Sequence, residues 1–208
     1  MLSIDRPFRQ ATPDDAQDLA EFVNMAGEGL ALYLWEQMAT AGESAWDVGC
    51  SRAKRDSGAF SYRNAILRLV DDDAVACLIG YPLEDAPAPA DYSEMPPMFV
   101  PLQQLEDMVP GTWYINVLAT KQAHRGHGYG NELLALAEGI ATSLGKHGLS
   151  LIVADTNLGA RRLYSHLGYQ EVAQRAMVKE RWVHPGTHWV LMTKSLQIEN
   201  KQPEAGAG

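Results

Sequence analysis

Residues 124–140, HRGHGYGNELLALAEGI, place glycines at alternate positions, Gly126, Gly128 and Gly130, and then pass into a helical pattern. Leu133, Leu134, Ala137, Ile140 and Ala141 recur at helical spacing and make one apolar stripe. The stretch before the glycines, TWYINVLAT (112–120), reads as a strand. A strand, a glycine turn and a helix that starts at once form a layout suited to holding an anion. The first N–H groups of a helix have no partner within it, and the helix dipole favours negative charge there. A charge-assisted hydrogen bond in such a loop contributes about 1.5–3 kcal/mol and the dipole about 0.3–1 kcal/mol. A tight turn at positive φ accounts for one such glycine; three alternating ones point to an anion site.

Two familiar anion loops fit poorly. A phosphate loop of the form GxxxxGK[ST] needs a lysine, whereas Gly130 is followed by Asn131 and Glu132. A dinucleotide fingerprint GxGxxG requires glycine at 131, where asparagine stands, although Asp155 at the end of the next strand imitates its ribose-binding acid. That fingerprint also normally opens its fold, and here about half the chain precedes it.

Outward from this segment, the reading runs in both directions. FRQAT (8–12) alternates like a short strand, Pro13-Asp14-Asp15 supplies helix-start chemistry, and AQDLAEFVNMA, GLALYLWEQMA and residues 45–57 follow as helices. NAILRLV and AVACLIGYPL read as two strands joined by an acidic turn at Asp71-Asp72-Asp73. Residues 84–110 hold Pro87, Pro89, Pro96, Pro97, Pro101 and Pro110, a long insertion with one short helix, LQQLEDM. After the glycine helix come the buried strand LSLIVAD (149–155), the helix NLGARRLYSHLG, and two strands, YQEVAQRAMVKERW and THWVLMTKSL, joined by a turn at His184-Pro185-Gly186.

The 208 residues, 46% hydrophobic and 21% charged, suit one domain over 1–196, followed by a polar tail, 197–208, that reads as disordered. A formal charge of -9 argues against a nucleic-acid partner. No apolar run has the length of a membrane span and the first residues do not read as a secretion signal, so the expected setting is the cytoplasm. Cys50 and Cys77 lie outside metal or disulfide spacing, and the His184-x-x-x-His188 spacing falls on a turn, so no metal is expected.

Arg125-x-x-Gly128-x-Gly130, together with Asn157-x-x-Ala160-x-x-Leu163-Tyr164-x-x-Leu167-Gly168-Tyr169, resembles the acyl-CoA-binding signature of the GNAT family of acetyltransferases. The element order is similar to that of the family over residues 7–196. The resemblance implies an α/β fold, a mixed central sheet of about seven strands with helices on both faces. It implies that acetyl-CoA is the cosubstrate, its pyrophosphate on Arg125, Gly126, His127, Gly128, Tyr129, Gly130 and Asn131. The pantetheine arm would pair with the main chain of Leu118, Ala119 and Thr120, Asn157 would touch that arm, and Tyr164 would act as general acid toward the sulfur.

The implied reaction is direct attack of a primary amine, on a small molecule or a peptide, in a ternary complex; a homodimer is left open. Deprotonating a lysine-like amine at pH 7 costs about 4.6 kcal/mol, so a base is expected. Strand alternation puts Thr112, Tyr114 and Asn116 on one face and Trp113, Ile115 and Val117 on the other, which offers Tyr114 and Asn116 as acceptor-side residues and no carboxylate. Glu106, Asp107, His184 and His188 are the candidates left for that base, each read first as a solvated surface group. The acceptor pocket is expected from 28–57 and 84–110, with Trp35, Trp46, Met95, Met98 and Phe99 as walls. Two alternatives stay open: a non-catalytic acyl-CoA-binding module and a dinucleotide-dependent oxidoreductase.

Overall fold

The computed structural model describes residues 4–86 and 91–196; Pro87, Pro89 and the 197–208 tail lie outside them. Its elements follow the chain as β1 (Phe8–Gln10), α1 (Ala16–Ala26), α2 (Leu30–Met38), α3 (Ala45–Ala53), β2 (Ala65–Val70), β3 (Asp73–Pro82), α4 (Val100–Glu106), β4 (Trp113–Thr120), α5 (Tyr129–Ser143), β5 (Gly148–Ala154), α6 (Leu158–His166), β6 (Gln170–Ala176) and β7 (His188–Ser195). The seven strands form one sheet in the order β1-β2-β3-β4-β5-β7-β6. β4 and β5 pair in parallel and every other neighbouring pair is antiparallel. No helix among the described residues is long and apolar enough to cross a membrane.

Alternation along the strands supplies two apolar faces. On one face Leu67, Cys77 and Ile79 meet Leu19 and Phe22 of α1, with Trp35 and Val48 behind them. On the other, Leu78, Leu149, Leu151 and Met192 meet Leu133, Leu134 and Ala137 of α5 and Tyr164 of α6. A third cluster on the first face joins Leu105 of α4 and Met98 to Leu30, Trp182, Trp189 and Leu191. At Asp71 and Asp72 the backbone takes positive φ, 48° and 71°, so these residues form the hairpin turn anticipated between β2 and β3.

Two expectations are corrected. The strand expected to run from Tyr169 to Trp182 ends at Ala176, and Met177 to Thr187 is a loop that carries Trp182 and His184 inward, each less than a tenth exposed. The regular alternation expected of β4 breaks at Asn116. Ile79 pairs with Val117 and Gly80 with Ile115, which leaves Asn116 as a bulge. Trp113 and Ile115 therefore face α5, whereas Val117 and Ala119 face α1.

Candidate active site

β4 and β5 are in register only from Trp113 opposite Leu149 to Ile115 opposite Leu151. Beyond that point β4 continues to Thr120 and β5 to Ala154. The strands part, and their edges, with the glycine loop, α6 and the end of α1, line a cleft of about 880 Å³. Asn116 sits where the parting begins, exposed on the cleft wall, and Leu118, Ala119 and Thr120 continue that wall. Tyr114 lies apart: it is buried, packs on Tyr81 at 5.5 Å, and is held protonated by burial.

The glycine loop forms the cleft's outer end. Gly126 and Gly128 have φ of 81° and 84°, a region that side chains resist, and a Cβ on either would meet nothing within 4 Å. Gly128 caps α5, whose first bond runs from the Glu132 N–H to the Gly128 carbonyl at 3.1 Å. The N–H groups of Tyr129, Gly130 and Asn131 are therefore left without helical partners. Side chains brace the loop from behind. His127 Nδ1 donates to the carbonyls of His124 and Arg125, both at 3.1 Å, and its ring stacks on Tyr129. Arg68 covers the Tyr129 ring at 4.0 Å and pairs with Glu132 at 3.1 Å. Arg125 Nε donates back to the Thr120 carbonyl at 3.3 Å. Arg125, Gly126 and Gly130 line the cleft; His127, Tyr129 and Asn131 contribute main chain and support.

α6 forms one side. Tyr164 is buried within the cleft wall, and loss of solvent pushes its hydroxyl up to about 12. Asn157 precedes the helix as its cap: Oδ1 accepts the Ala160 N–H at 3.2 Å. Its Nδ2 donates to Glu28 Oε1 at 2.9 Å.

Glu28 belongs to no motif in the sequence, and it lines the cleft between Asn157 and His184. It lies between α1 and α2 at φ 50°, a conformation that costs a side-chain-bearing residue about 1–2 kcal/mol. Its Oε2 accepts from His184 Nε2 at 2.8 Å. His184 corrects the expectation of a solvated histidine: its side chain is 3% exposed and stacks on Trp182 at 4.5 Å. The Gly186 N–H reaches His184 Nδ1 at 3.0 Å, and an amide only donates, so Nδ1 carries the lone pair and the proton sits on Nε2, facing Glu28. Gly186 is needed for this approach, since a Cβ there would stand 2.7 Å from Asp155 Oδ1 and 2.8 Å from His184 Cε1. Asp155 is committed to the same loop, accepting from Thr187 Oγ1 at 2.7 Å and the His188 N–H at 3.1 Å, and does not face the cleft as a ribose acid would.

The expected acceptor walls are also corrected. Trp35 is a core residue stacked on Phe60, Trp46 packs edge-on against Trp35, and Met98 is buried beside Leu105. None of these, nor Met95 or Phe99, lines the cleft. Glu106 accepts from Tyr81 Oη at 3.3 Å, Asp107 from Tyr92 Oη at 2.7 Å, and His188 pairs with Thr187 Oγ1 at 2.9 Å, all outside the cleft lining. Burial raises the Glu106 carboxyl. Among the described residues, the ionisable side chains lining the cleft are Glu28, Arg125, Tyr164 and His184.

The chain is similar to known proteins in sequence and in fold. The family model described as Acetyltransferase (GNAT) family matches residues 31–169. An N-acetyltransferase from Staphylococcus aureus Mu50 is 20% identical with a TM-score of 0.59, covering 90% of this chain and 99% of that one. A structure described as an acetyltransferase is 21% identical with a TM-score of 0.62, covering 90% and 98%. Ribosomal-protein-alanine N-acetyltransferase from Brucella melitensis is 19% identical with a TM-score of 0.57, covering 91% and 99%. These similarities show a shared α/β fold. No curated protein matches the sequence.

Proposed function

Because this chain belongs to the acetyltransferase (GNAT) family, and is an acyltransferase by that membership, we propose that it moves an acetyl group from acetyl-CoA to a primary amine by direct attack in a ternary complex. One observation carries this reading: the cleft between β4 and β5 joins the open glycine loop at one end to buried Tyr164 at its side.

In this reading the free N–H groups at the start of α5, with the loop from Arg125 to Asn131, hold the pyrophosphate. The unpaired edge of β4 at Leu118, Ala119 and Thr120 binds the pantetheine amides, and Asn116 and Asn157 border the thioester. Tyr164 donates a hydrogen bond to the sulfur. Burial pushes its hydroxyl up to about 12. The phenol stays protonated at any working pH, and it yields its proton as the C–S bond breaks.

The test is a screen of primary amines with acetyl-CoA and thiol detection, including alkylamines, polyamines and peptides with a free N-terminal alanine. Thiol release that depends on one amine class supports the reading. Acetyl-CoA binding without turnover on any amine would favour a binding module, and NAD binding without CoA binding would favour an oxidoreductase.

A further inference from the structure

The transfer needs a group to take the amine's proton, and β4 offers no carboxylate. Resting on the acetyl-transfer reading, we infer that Glu28 is that base and that His184 is its positioning residue. Glu28 is the one carboxylate among the described residues that line the cleft. Its two oxygens are each held by a neutral donor from a different part of the chain, Asn157 Nδ2 at 2.9 Å and His184 Nε2 at 2.8 Å. A carboxylate has about four lone-pair directions, so two hydrogen bonds leave room for an incoming proton. Its side chain is 33% exposed, which leaves it open to the cleft.

The supports are built for this orientation. Glu28 sits between Gly27 and Gly29 in a left-handed conformation at the α1–α2 turn, and it lines the cleft. The Gly186 N–H locks His184 in its Nε2–H tautomer, so the ring can only donate to Glu28 and does not compete for the proton. Trp182 stacks over the ring and fixes its plane. Asn157 begins the helix that carries Tyr164, so one short segment links base and acid.

The step balances as follows. The amine nitrogen lone pair attacks the thioester carbonyl carbon and a C–N bond forms. The nitrogen's extra proton passes to the Glu28 carboxylate. The C–S bond breaks with its electron pair on sulfur, which takes a proton from Tyr164. Solvent returns a proton to Tyr164 and removes one from Glu28, and the products are an N-acetyl amine and free CoA thiol.

The test assays wild type, Glu28→Gln, Glu28→Ala, Glu28→Asp, His184→Phe and His184→Gln on the best amine of the screen, with CoA affinity by calorimetry and folding by thermal melt. The expected result is a loss in kcat of about 100-fold or more for Glu28→Gln, as general-base removal brings, with CoA affinity within about threefold. Added formate should restore part of the Glu28→Ala rate and leave wild type unchanged. His184→Gln, whose amide can donate to Glu28, should keep most of the kcat that His184→Phe loses. A wild type that turns over while folded Glu28→Gln matches its kcat overturns the inference and leaves the transfer reading standing. If Glu28→Gln fails to fold, a His184→Gln variant no better than His184→Phe, or a Glu28→Asp variant that folds yet shows wild-type kcat after its carboxylate is withdrawn by a methylene, overturns it instead. A wild type with no turnover on any amine overturns both readings.

Discussion

Ile115 on β4 and Leu151 on β5 are the last residues at which these parallel strands stand in register. Past them β4 still pairs with β3 and β5 with β7, but β4 and β5 no longer pair with each other, and their facing edges are left free for an extended chain to pair with. Ala160, at the start of α6, lines the opened space. Ala160→Trp should fill it and weaken acetyl-CoA binding at least about tenfold, with a stability cost of about 1–3 kcal/mol from crowding. Calorimetric titration beside a urea melt separates the two effects.

The loop glycines carry the next expectation. Gly126→Ala and Gly128→Ala each place a side chain at positive φ, at a cost of about 1–2 kcal/mol. A Cβ meets nothing nearby at either position, so both variants should fold, while CoA affinity falls about tenfold or more as the amides are screened from the pyrophosphate. Unchanged affinity in a folded variant would remove the loop from the cofactor site.

Alkaline stability follows from the buried tyrosines. Burial raises the hydroxyls of Tyr81, Tyr114, Tyr164 and Tyr169, Tyr164 to about 12. The folded chain thus holds these protons more tightly than the unfolded chain, where a tyrosine ionises near pH 10. Stability is fully present below about pH 10 and is lost as pH climbs toward and past 12. Tyrosinate absorbance should show these residues titrating only together with unfolding, and Tyr164→Phe should flatten part of that loss.

Met98 belongs to the core cluster of Leu105, Trp182 and Trp189 and does not touch the cleft. Met98→Ala should cost about 2–5 kcal/mol in stability. It should leave the ranking of amine acceptors unchanged, because the described residues of the insertion prop up the loop bearing His184 and do not line the cleft. A changed ranking in the folded variant would return the insertion to the acceptor site.

Much of the fold was legible because its signals are local. The glycine turn before Leu133 and Leu134, the unbroken strand at 149–154 and the Asp71-Asp72 turn each declare themselves within a few residues. The Asn116 bulge was hidden because WYINVLAT alternates regularly on its own; the break exists only in its register with Ile79 and Gly80. Glu28 and His184 lie 156 positions apart, and His184-Pro185-Gly186 resembles any solvent turn until Trp182 and Asp155 are seen around it. The one local hint was Gly27-Glu28-Gly29, a carboxylate between glycines at a helix junction. Met98 reads as a pocket wall because packing against β6 and β7 uses the same residue types as packing against a ligand.

The most direct test is a crystal structure of the protein with acetyl-CoA. The expected density places the pyrophosphate on the N–H groups between Gly126 and Asn131, the pantetheine arm between β4 and β5, and the sulfur beside the Tyr164 hydroxyl with the acetyl group toward Glu28. A pyrophosphate bound elsewhere, or an arm that does not enter between Leu118 and Val153, would contradict the account.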